Sequence, residues 1–440
     1  KNTSDTKKSG NKSHFFSQIV KKFKGENGSD NELKLSLQRV SNKKYLKLYK
    51  IDTNLVNYES DILENSLNFS HENDDMFLGF RASVYEDLIV NQSSNKYEYV
   101  LPDIIFDKNL FSNNKYGFAD FQSNLNIHQY DTNKLTKFLV NDIDWKYRQN
   151  NFSNGLSGRF LGKIKNVNYE AKNTSEYKDE TTNELFGAIG YLSELNLFKN
   201  GKNNSKHFLT PKVLIRYAPG HMRNENETTR LNHLNVFKLD RLNSNKNFES
   251  GLSSSLGFDY KFKQSSKQLD FSIAQIINEK ENKDMPPSSS LDQRFSDVVS
   301  NTNLQINDKF SLNYNFALDQ NYKDLNYNEV GTTFNFNPIK LNFSYLEEKE
   351  HIGNQEYFKS KFDIASGKSG LFSAETKRNL ITDSAEYYNL SYEYLNDCLR
   401  AGLVYRREFY KDSELAPEDS LMFKITLIPF GNINSPSFGQ

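Results

Sequence analysis

Seven charged side chains stand out as residues that could bind an anionic ligand or brace a loop: Arg216, Arg230, Asp240, Arg241, Glu249, Arg406 and Arg407. Five of them fall in one polar segment and its flanks. Because a guanidinium can hold two oxygens of a phosphate or carboxylate at once, arginine is a typical contact for polyanions. The sequence therefore predicts ligand contacts here. An ion pair of Arg241 with Asp240 or Glu249 that holds the segment in place is an equally good interpretation.

Catalytic patterns are lacking elsewhere in the sequence. The seven histidines are scattered, without His-Glu-x-x-His spacing, and there is no Gly-x-Ser-x-Gly elbow. His221 and His233 share the polar segment but bring no cysteine or acidic ligand pattern, which is weak support for a metal site. We expect no enzyme activity, no metal and no cofactor.

The elements that must position these residues have a period of two. In Phe310–Leu318 the alternate residues are Phe, Leu, Tyr, Phe and Leu, while Ser and Asn occupy the other face. Segments 339–345, 388–394, 399–405 and 423–427 repeat this pattern, and weaker examples reach back to residue 61. We count about twenty segments, each near the length of a transmembrane strand (roughly 9–11 residues).

Connections between these segments fall into two alternating classes. Short turns are predicted at 307–309, 337–338 and 396–398. Longer loops are predicted at 219–249, 279–296, 319–329, 347–356, 377–385 and 410–419. Short turns at one rim and long loops at the other are typical of bacterial outer-membrane barrels. The sequence therefore predicts an all-β fold, a large antiparallel transmembrane β-barrel of about twenty or more strands that is incomplete at its N-terminal side.

Bulk properties agree with this fold. The chain has 56 basic and 56 acidic residues, which argues against a nucleic-acid binder, and 34 Phe with 25 Tyr favour strands. Its mean hydropathy of -0.76 suits a barrel, in which only alternate strand residues face lipid. The N-terminus has neither Met nor a signal-like apolar segment, so we interpret the chain as a fragment or mature piece.

Several motifs, taken together in their order along the chain, resemble those of the LptD family, the lipopolysaccharide-assembly or organic solvent tolerance proteins. In the polar segment the similar residues are Asn224-Glu225, Phe237, Leu239-Asp240-Arg241, Glu249 and Gly251. Asn328–Gly331, Tyr405–Phe409 and the terminal strand Phe423–Leu427 resemble later family motifs. The chain departs from the family at Ser244–Asn247, where Gly-Tyr-Asp-Arg is usual. The resemblance runs from about Leu35 to Gly431.

This resemblance implies an outer-membrane translocon that inserts lipopolysaccharide into the outer leaflet of a Gram-negative bacterium. An LptE-like lipoprotein would plug the barrel, and an N-terminal jelly-roll, absent from this chain, would connect it to the periplasmic Lpt bridge. Lipid A would leave through a lateral gate beside the last strand, which contains Phe423, Ile425 and Leu427. The arginines and acids named above would contact the sugars and phosphates.

Cys398 is the single cysteine, so no disulfide can form within the chain. The resemblance implies that it pairs, in the oxidising periplasm, with a cysteine outside this chain. An idle thiol in a turn is the alternative.

Three regions are expected: a polar flexible segment or loop at 1–31, the LptD-type barrel at 32–430 and a tail at 431–440. Within 1–31, a basic amphipathic turn around Phe16, Ile19 and Phe23 is an alternative to a flexible loop. The other functions considered are a passive porin or ligand-uptake barrel, and an all-β adhesin.

Overall fold

The structure is a computed structural model. It describes residues 13–25, 28–49, 51, 53, 55–58, 60–89, 97–131, 133–225, 230–242, 244–349, 353–367, 369–409, 419–427, 431–434 and 438–439.

Antiparallel β-strands make up almost all of it, in the order β1 His14–Lys24, β2 Asp30–Val40, β3 Ile62–Glu72, β4 Met76–Asp87, β5 Tyr97–Asn113, β6 Gly117–Tyr130, β7 Lys134–Lys146, β8 Asn150–Asn151, β9 Leu156–Lys172, β10 Thr182–Leu195, β11 Leu197–Asn200, β12 Lys206–Ala218, β13 Gly251–Gln264, β14 Lys267–Asn278, β15 Val298–Asn307, β16 Phe310–Leu318, β17 Leu325–Phe336, β18 Ile339–Glu348, β19 Gln355–Ser366, β20 Gly370–Asn379, β21 Ser384–Leu395, β22 Leu399–Glu408, β23 Asp419–Leu427, β24 Gly431–Asn434 and β25 Phe438–Gly439. One short helix, α1 Tyr45–Tyr49, and a 3-10 turn at Pro287–Ser289 interrupt the pattern. No helix among the described residues is long and apolar enough to cross a membrane.

All strands belong to one sheet, in which each long strand pairs with its neighbours in sequence. Among the described residues no ladder joins β1 to β23, so the sheet has two edges. Arg406 of β22 nevertheless lies 5.6 Å from the ring of Tyr58, which belongs to the β2–β3 connection. The two ends of the sheet therefore approach each other, as the barrel prediction requires. The predicted fold class is confirmed.

Side-chain alternation gives the sheet two different faces. On β12, Val213, Ile215 and Tyr217 are exposed, whereas Leu214 and Arg216 between them are buried. We name the face of Leu214 and Arg216, onto which the long β12–β13 loop folds, the inner face, and the opposite one the outer face. Successive strand residues point to opposite sides, so the outer face is an apolar surface suited to lipid.

The alternation of connections is confirmed. Most fully described turns at one rim are short, namely 73–75, 114–116, 265–266, 308–309, 337–338 and 396–398, while the connections 147–155 and 196–205 at this rim are longer and contain β8 and β11. Those at the other rim include 279–297, 319–324 and 380–383. We name these edges the short-turn rim and the long-loop rim. The predicted loop at 410–419 lies almost entirely outside the described residues.

The N-terminal prediction was wrong in its secondary structure. His14–Lys24 is strand β1, paired along its length with β2, and not a flexible loop or an amphipathic turn. The apolar residues of this segment fit the 3.6-residue repeat of a helix as well as the two-residue repeat of a strand. Its pairing with β2 makes it a strand. Residues 1–12 lie outside the described residues. In the predicted tail, Gly431–Asn434 and Phe438–Gly439 are strands that pair with β23.

Loop 219–250, described at 219–225, 230–242 and 244–250, connects two apolar clusters. Its Leu239 and Phe248 pack with Phe138, Leu161 and other inner-face residues of β7, β9, β10 and β12. Met222, Leu231, Val236 and Leu242 pack with β14–β17. The loop is therefore folded against the inner face and does not project from the rim.

An anchored loop and an open polar wall

Arg241 and Glu249 form a bidentate ion pair inside this folded loop. The Arg241 Nε donates to Glu249 Oε2 at 2.7 Å, and its Nη2 donates to Glu249 Oε1 and to Ser253 Oγ of β13. Arg241 has 0% of its surface exposed and Glu249 2%. Burial alone would raise the pKa of the Glu249 carboxyl, but the charges of Arg241 and Arg216 outweigh it and lower that pKa. The pair is permanently charged at neutral pH.

Arg216 holds the loop from the strand side. Its Nε donates to the Leu239 carbonyl at 2.6 Å, and its Nη2 donates to the Glu249 carbonyl. Only 1% of its surface is exposed. Arg216 and Arg241 therefore contact Glu249 and the loop backbone and hold the loop in place. This is the loop-bracing interpretation that the sequence left open for Arg241.

Lys165 of β9 is a member of this cluster that sequence reasoning missed. Its Nζ donates to Asp240 Oδ2 at 3.0 Å, to the Asn247 carbonyl at 3.3 Å and to the Ser244 carbonyl. The predicted Asp240 is thus paired with a strand lysine and not with Arg241. Buried lysines require such partners. The signal that could have identified Lys165 is its position on the inner face of β9, opposite Asp142 of β7.

Arg230 fastens the loop to distant strands. Its Nη1 lies 2.5 Å from Glu348 Oε2 of β18, and its guanidinium lies 3.5 Å from the ring of Tyr327 on β17. Arg223 donates to Glu184 of β10 on the opposite side. The loop is therefore tied by ion pairs to both β10 and β18.

Arg406 and Arg407 are not part of the loop cluster. Arg406 faces inward, 3.0 Å from Glu408 and over the Tyr387 ring at 4.4 Å. Arg407 is on the outer face, 3.6 Å from Asp419 and over Phe409.

The remaining predicted residues lie near the last strands. Phe423, Ile425 and Leu427 alternate along β23, opposite Leu403, Ala401 and Leu399 of β22. Phe423 is 46% exposed on the outer face. Cys398 is an exposed free thiol in the turn 396–398, at the short-turn rim, where its N–H donates to Asn396 Oδ1.

Beyond the loop, the inner face of β15–β18 is an open wall of amides. Asn301 donates to Asn315 at 2.5 Å, Asn303 donates to Asn301 at 2.9 Å, and Asn315 donates to Glu329 at 2.9 Å. Asn303 and Asn313 are exposed. Such a surface presents both donors and acceptors, as sugar hydroxyls require.

The wall becomes basic on β19 and β20. Lys359, Lys361 and Lys377 are inner-face neighbours, with side chains 41%, 40% and 30% exposed. Glu375 and Asp363 lie between them, 2.9 Å from Lys359 and 3.4 Å from Lys361. Partly exposed ammonium groups beside an amide wall can contact a phosphorylated sugar without binding it tightly.

The opposite side has a different character. A cavity of about 820 Å³ lies between loop tip 237–240 and the inner face of β4–β9, and its lining mixes acids with bases, among them Asp75, Asp107, Asp120 and Asp144 with Lys108, Lys146, Arg159 and Lys163. Asp107 Oδ1 is buried without a hydrogen-bond partner. The six acids and five bases of this lining nearly cancel, so the cavity has no excess of positive charge to attract phosphate groups. Among the described residues no group of three or more His, Cys, Asp or Glu side chains could hold a metal ion.

A single antiparallel sheet with an apolar outer face, a polar inner face, short turns at one rim and long loops at the other defines an outer-membrane β-barrel. The family model for LptD, described as LPS transport system D, matches residues 17–395. The chain belongs to the LptD family, whose members act in transport of lipopolysaccharide, and it is a protein of the Gram-negative outer membrane.

The solved structures that this chain resembles include two receptors and a porin. The siderophore receptor PirA of Acinetobacter baumannii is 8% identical, with a TM-score of 0.45, covering 84% of this chain and 72% of that one. The ferric enterobactin receptor PfeA of Pseudomonas aeruginosa, as a point mutant, is 8% identical, with a TM-score of 0.41 and coverages of 84% and 70%. A porin of Rhodopseudomonas blastica, as a triple mutant, is 11% identical, with a TM-score of 0.25 and coverages of 62% and 86%. No curated protein is significantly similar in sequence.

Proposed function

We propose that this chain forms the outer-membrane translocon that assembles lipopolysaccharide into the outer leaflet. Family membership over residues 17–395 is the observation that carries the proposal. The barrel provides a route past the membrane, and transport needs no reacting residues. It needs surfaces that contact an acylated polyanion weakly enough to release it.

The glycan path in this proposal follows the open wall. Amides of Asn301, Asn303 and Asn313 would exchange hydrogen bonds with sugar hydroxyls, and Lys359, Lys361 and Lys377 would contact phosphates. The wall is supported as the path because its side chains remain accessible. The arginines predicted as ligand contacts in loop 219–250 would act indirectly, by holding the loop away from that wall.

The lipid part would leave sideways beside β23. Phe423 and Ile425 lie on the same face of β23, and an apolar face of that kind suits an acyl chain. The short strands β24 and β25, which pair with β23 on the side away from β22, would have to separate from it during this step. The partners in this proposal are an LptE-like lipoprotein inside the barrel and a periplasmic jelly-roll that delivers lipopolysaccharide. Cys398 would form a disulfide to a cysteine outside this chain, since it is exposed at the short-turn rim, which faces the periplasm in such barrels.

A conditional-depletion experiment tests the proposal. Cells that lose this protein should accumulate lipopolysaccharide in inner-membrane fractions, and surface labelling of lipopolysaccharide should fall before growth stops. Re-expression should restore both. Unchanged surface lipopolysaccharide, together with a steady single-channel conductance of the purified protein, would favour the passive porin instead.

The disulfide is tested separately. In the full-length protein, Cys398→Ser should change mobility on a non-reducing gel. Serine at another turn position, as in Asn396→Ser, is the matched control. Identical mobility for Cys398→Ser and the parent would remove the proposed bond.

A further inference from the structure

The hairpin of β11 and β12 departs from the regular sheet at the short-turn rim. β10 pairs on both sides, with β9 and β12, whereas β11 pairs with β12 alone among the described strands. The hairpin therefore extends past the edge of β9. A cavity of about 660 Å³ lies against it.

Half of this cavity is apolar and continuous with the lipid-facing surface. Leu197 lies opposite Leu209, and Leu209 lies opposite Tyr260. All three side chains point to the outer face, as that of Ile215 does. Leu209 is an even number of residues from Ile215 on β12, and Leu197 and Tyr260 lie directly opposite Leu209 on the neighbouring strands. Leu197 is 43% exposed and Phe198 beside it is 54% exposed. An acyl chain would fit this half.

The other half is basic. Lys199 and Lys202 line the cavity and have no carboxylate partner among the described residues. His207 beside them is held in place, with Nδ1 2.9 Å from the Tyr260 hydroxyl and Nε2 3.3 Å from Ser205 Oγ. Residues 196–206 contain three lysines and no acid.

Further basic side chains lie on the other face of the same strands. Lys206 lies directly opposite Lys263 in the ladder, and both are exposed. Both lysines lie on the inner face, each an odd number of residues from Ile215 or from its ladder partner Ser254, so they add positive charge at this rim without lining the cavity. Positive charge is not a general property of this rim, because β3 ends there at Glu72 and the β3–β4 turn carries Asp74 and Asp75.

We propose that the β11–β12 hairpin binds an anionic phospholipid of the membrane leaflet next to the short turns. Lys199 and Lys202 would contact the phosphate, while Leu197, Leu209 and Tyr260 would contact the upper acyl chain. Aromatic and basic side chains at the depth of the headgroups are the usual anchors of membrane proteins. The proposal depends on the membrane orientation of the barrel and not on lipopolysaccharide transport.

Lipid titration followed by native mass spectrometry tests this site. The full chain is folded in detergent and titrated with phosphatidylglycerol or phosphatidylcholine. The Lys199→Gln/Lys202→Gln variant should bind phosphatidylglycerol at least about tenfold more weakly, since each lysine near an anionic membrane surface contributes about fivefold. The matched control is Lys283→Gln/Lys323→Gln, at the long-loop rim, which should change the affinity less than about twofold.

Four results would overturn the proposal: unchanged phosphatidylglycerol affinity in the test variant, equal loss in the control variant, equally tight binding of phosphatidylcholine, or displacement of the lipid by inorganic phosphate or by lipopolysaccharide at equal concentration. Heat-dependent gel migration shows whether each variant is folded. If the double variant does not fold, Lys199→Gln alone is used, and an affinity unchanged from the parent would equally overturn the site.

Discussion

The inner face of this barrel has two halves that use charge in opposite ways. On β7–β13, the buried Lys165 and Arg216 donate to loop 219–250, whose own Arg241 is buried against Glu249. On β15–β20, amides and lysines remain accessible. A buried ion pair needs its partner to avoid a large desolvation cost, whereas an accessible one can exchange its partner for a ligand. Charge type alone therefore does not distinguish bracing residues from binding residues.

Removing one member of the buried pair should have the largest effect. Arg241→Ala leaves Glu249 charged and without its bidentate donor, so we expect a loss of about 3–5 kcal/mol of unfolding free energy. Urea unfolding of the detergent-folded barrel measures it. Arg378→Ala, an exposed arginine paired with Asp383 at the long-loop rim, is the control and should cost about 0–1 kcal/mol. Equal effects of the two substitutions would remove the distinction between the halves.

Paired glycines test the packing of the two halves. A Cβ at Gly190 would lie 2.7 Å from Leu239 Cδ2 of the loop and 3.2 Å from the Ile215 carbonyl, whereas a Cβ at Gly331 on the open wall would be no closer than 4.0 Å to Asn313. We expect Gly190→Ala to cost about 1–3 kcal/mol through overpacking. Gly331→Ala should be close to neutral. A larger effect at Gly331 in urea unfolding would contradict the folded position of the loop.

Acid should release the loop only at low pH. The pKa of Glu249 is lowered by its arginines below the ordinary 4.5, so its contribution to stability is complete above about pH 4.5. It is lost as the pH falls through the lower, folded-state value. Protease cleavage within 230–249, followed against pH, should therefore rise only below the ordinary range of glutamate. Cleavage that rises near pH 6 and is insensitive to Glu249→Gln would argue against this.

The smallest effect on stability is expected on the open wall. Lys361→Gln removes one partly exposed ion pair, 3.4 Å from Asp363, and should change stability by about 0–1 kcal/mol. In cells, surface lipopolysaccharide should nevertheless decrease. A normal level of surface lipopolysaccharide in the Lys361→Gln/Lys377→Gln double variant would show that these lysines do not contact the transported glycan.

Local signals explain how much of the fold could be predicted. Alternation in Phe310–Leu318 and the asymmetry of its connections are properties of neighbouring residues, so they can be read along the chain. The pairing of Lys165 with Asp240 joins residues from β9 and from a loop far along the sequence, and no local pattern encodes it. The β1 strand was missed because its apolar residues fit two periods, and only the ladder with β2 chooses one.

The functional assignment of single residues could not be predicted for a related reason. Arg241 and Lys361 belong to residue types that bind phosphate, yet one has 0% exposure and the other a side chain 40% exposed. Burial depends on where loop 219–250 folds, and contacts with strands that are distant in sequence decide that position.

Site-specific photo-crosslinking in lipopolysaccharide-producing cells tests the central claim most directly. A photoreactive residue is placed at Asn313 on the open wall or at Gln122 in the cavity beneath loop tip 237–240, both exposed inner-face positions. We expect lipopolysaccharide adducts at position 313 and few or none at position 122. Adducts at position 122 without adducts at position 313 would contradict it.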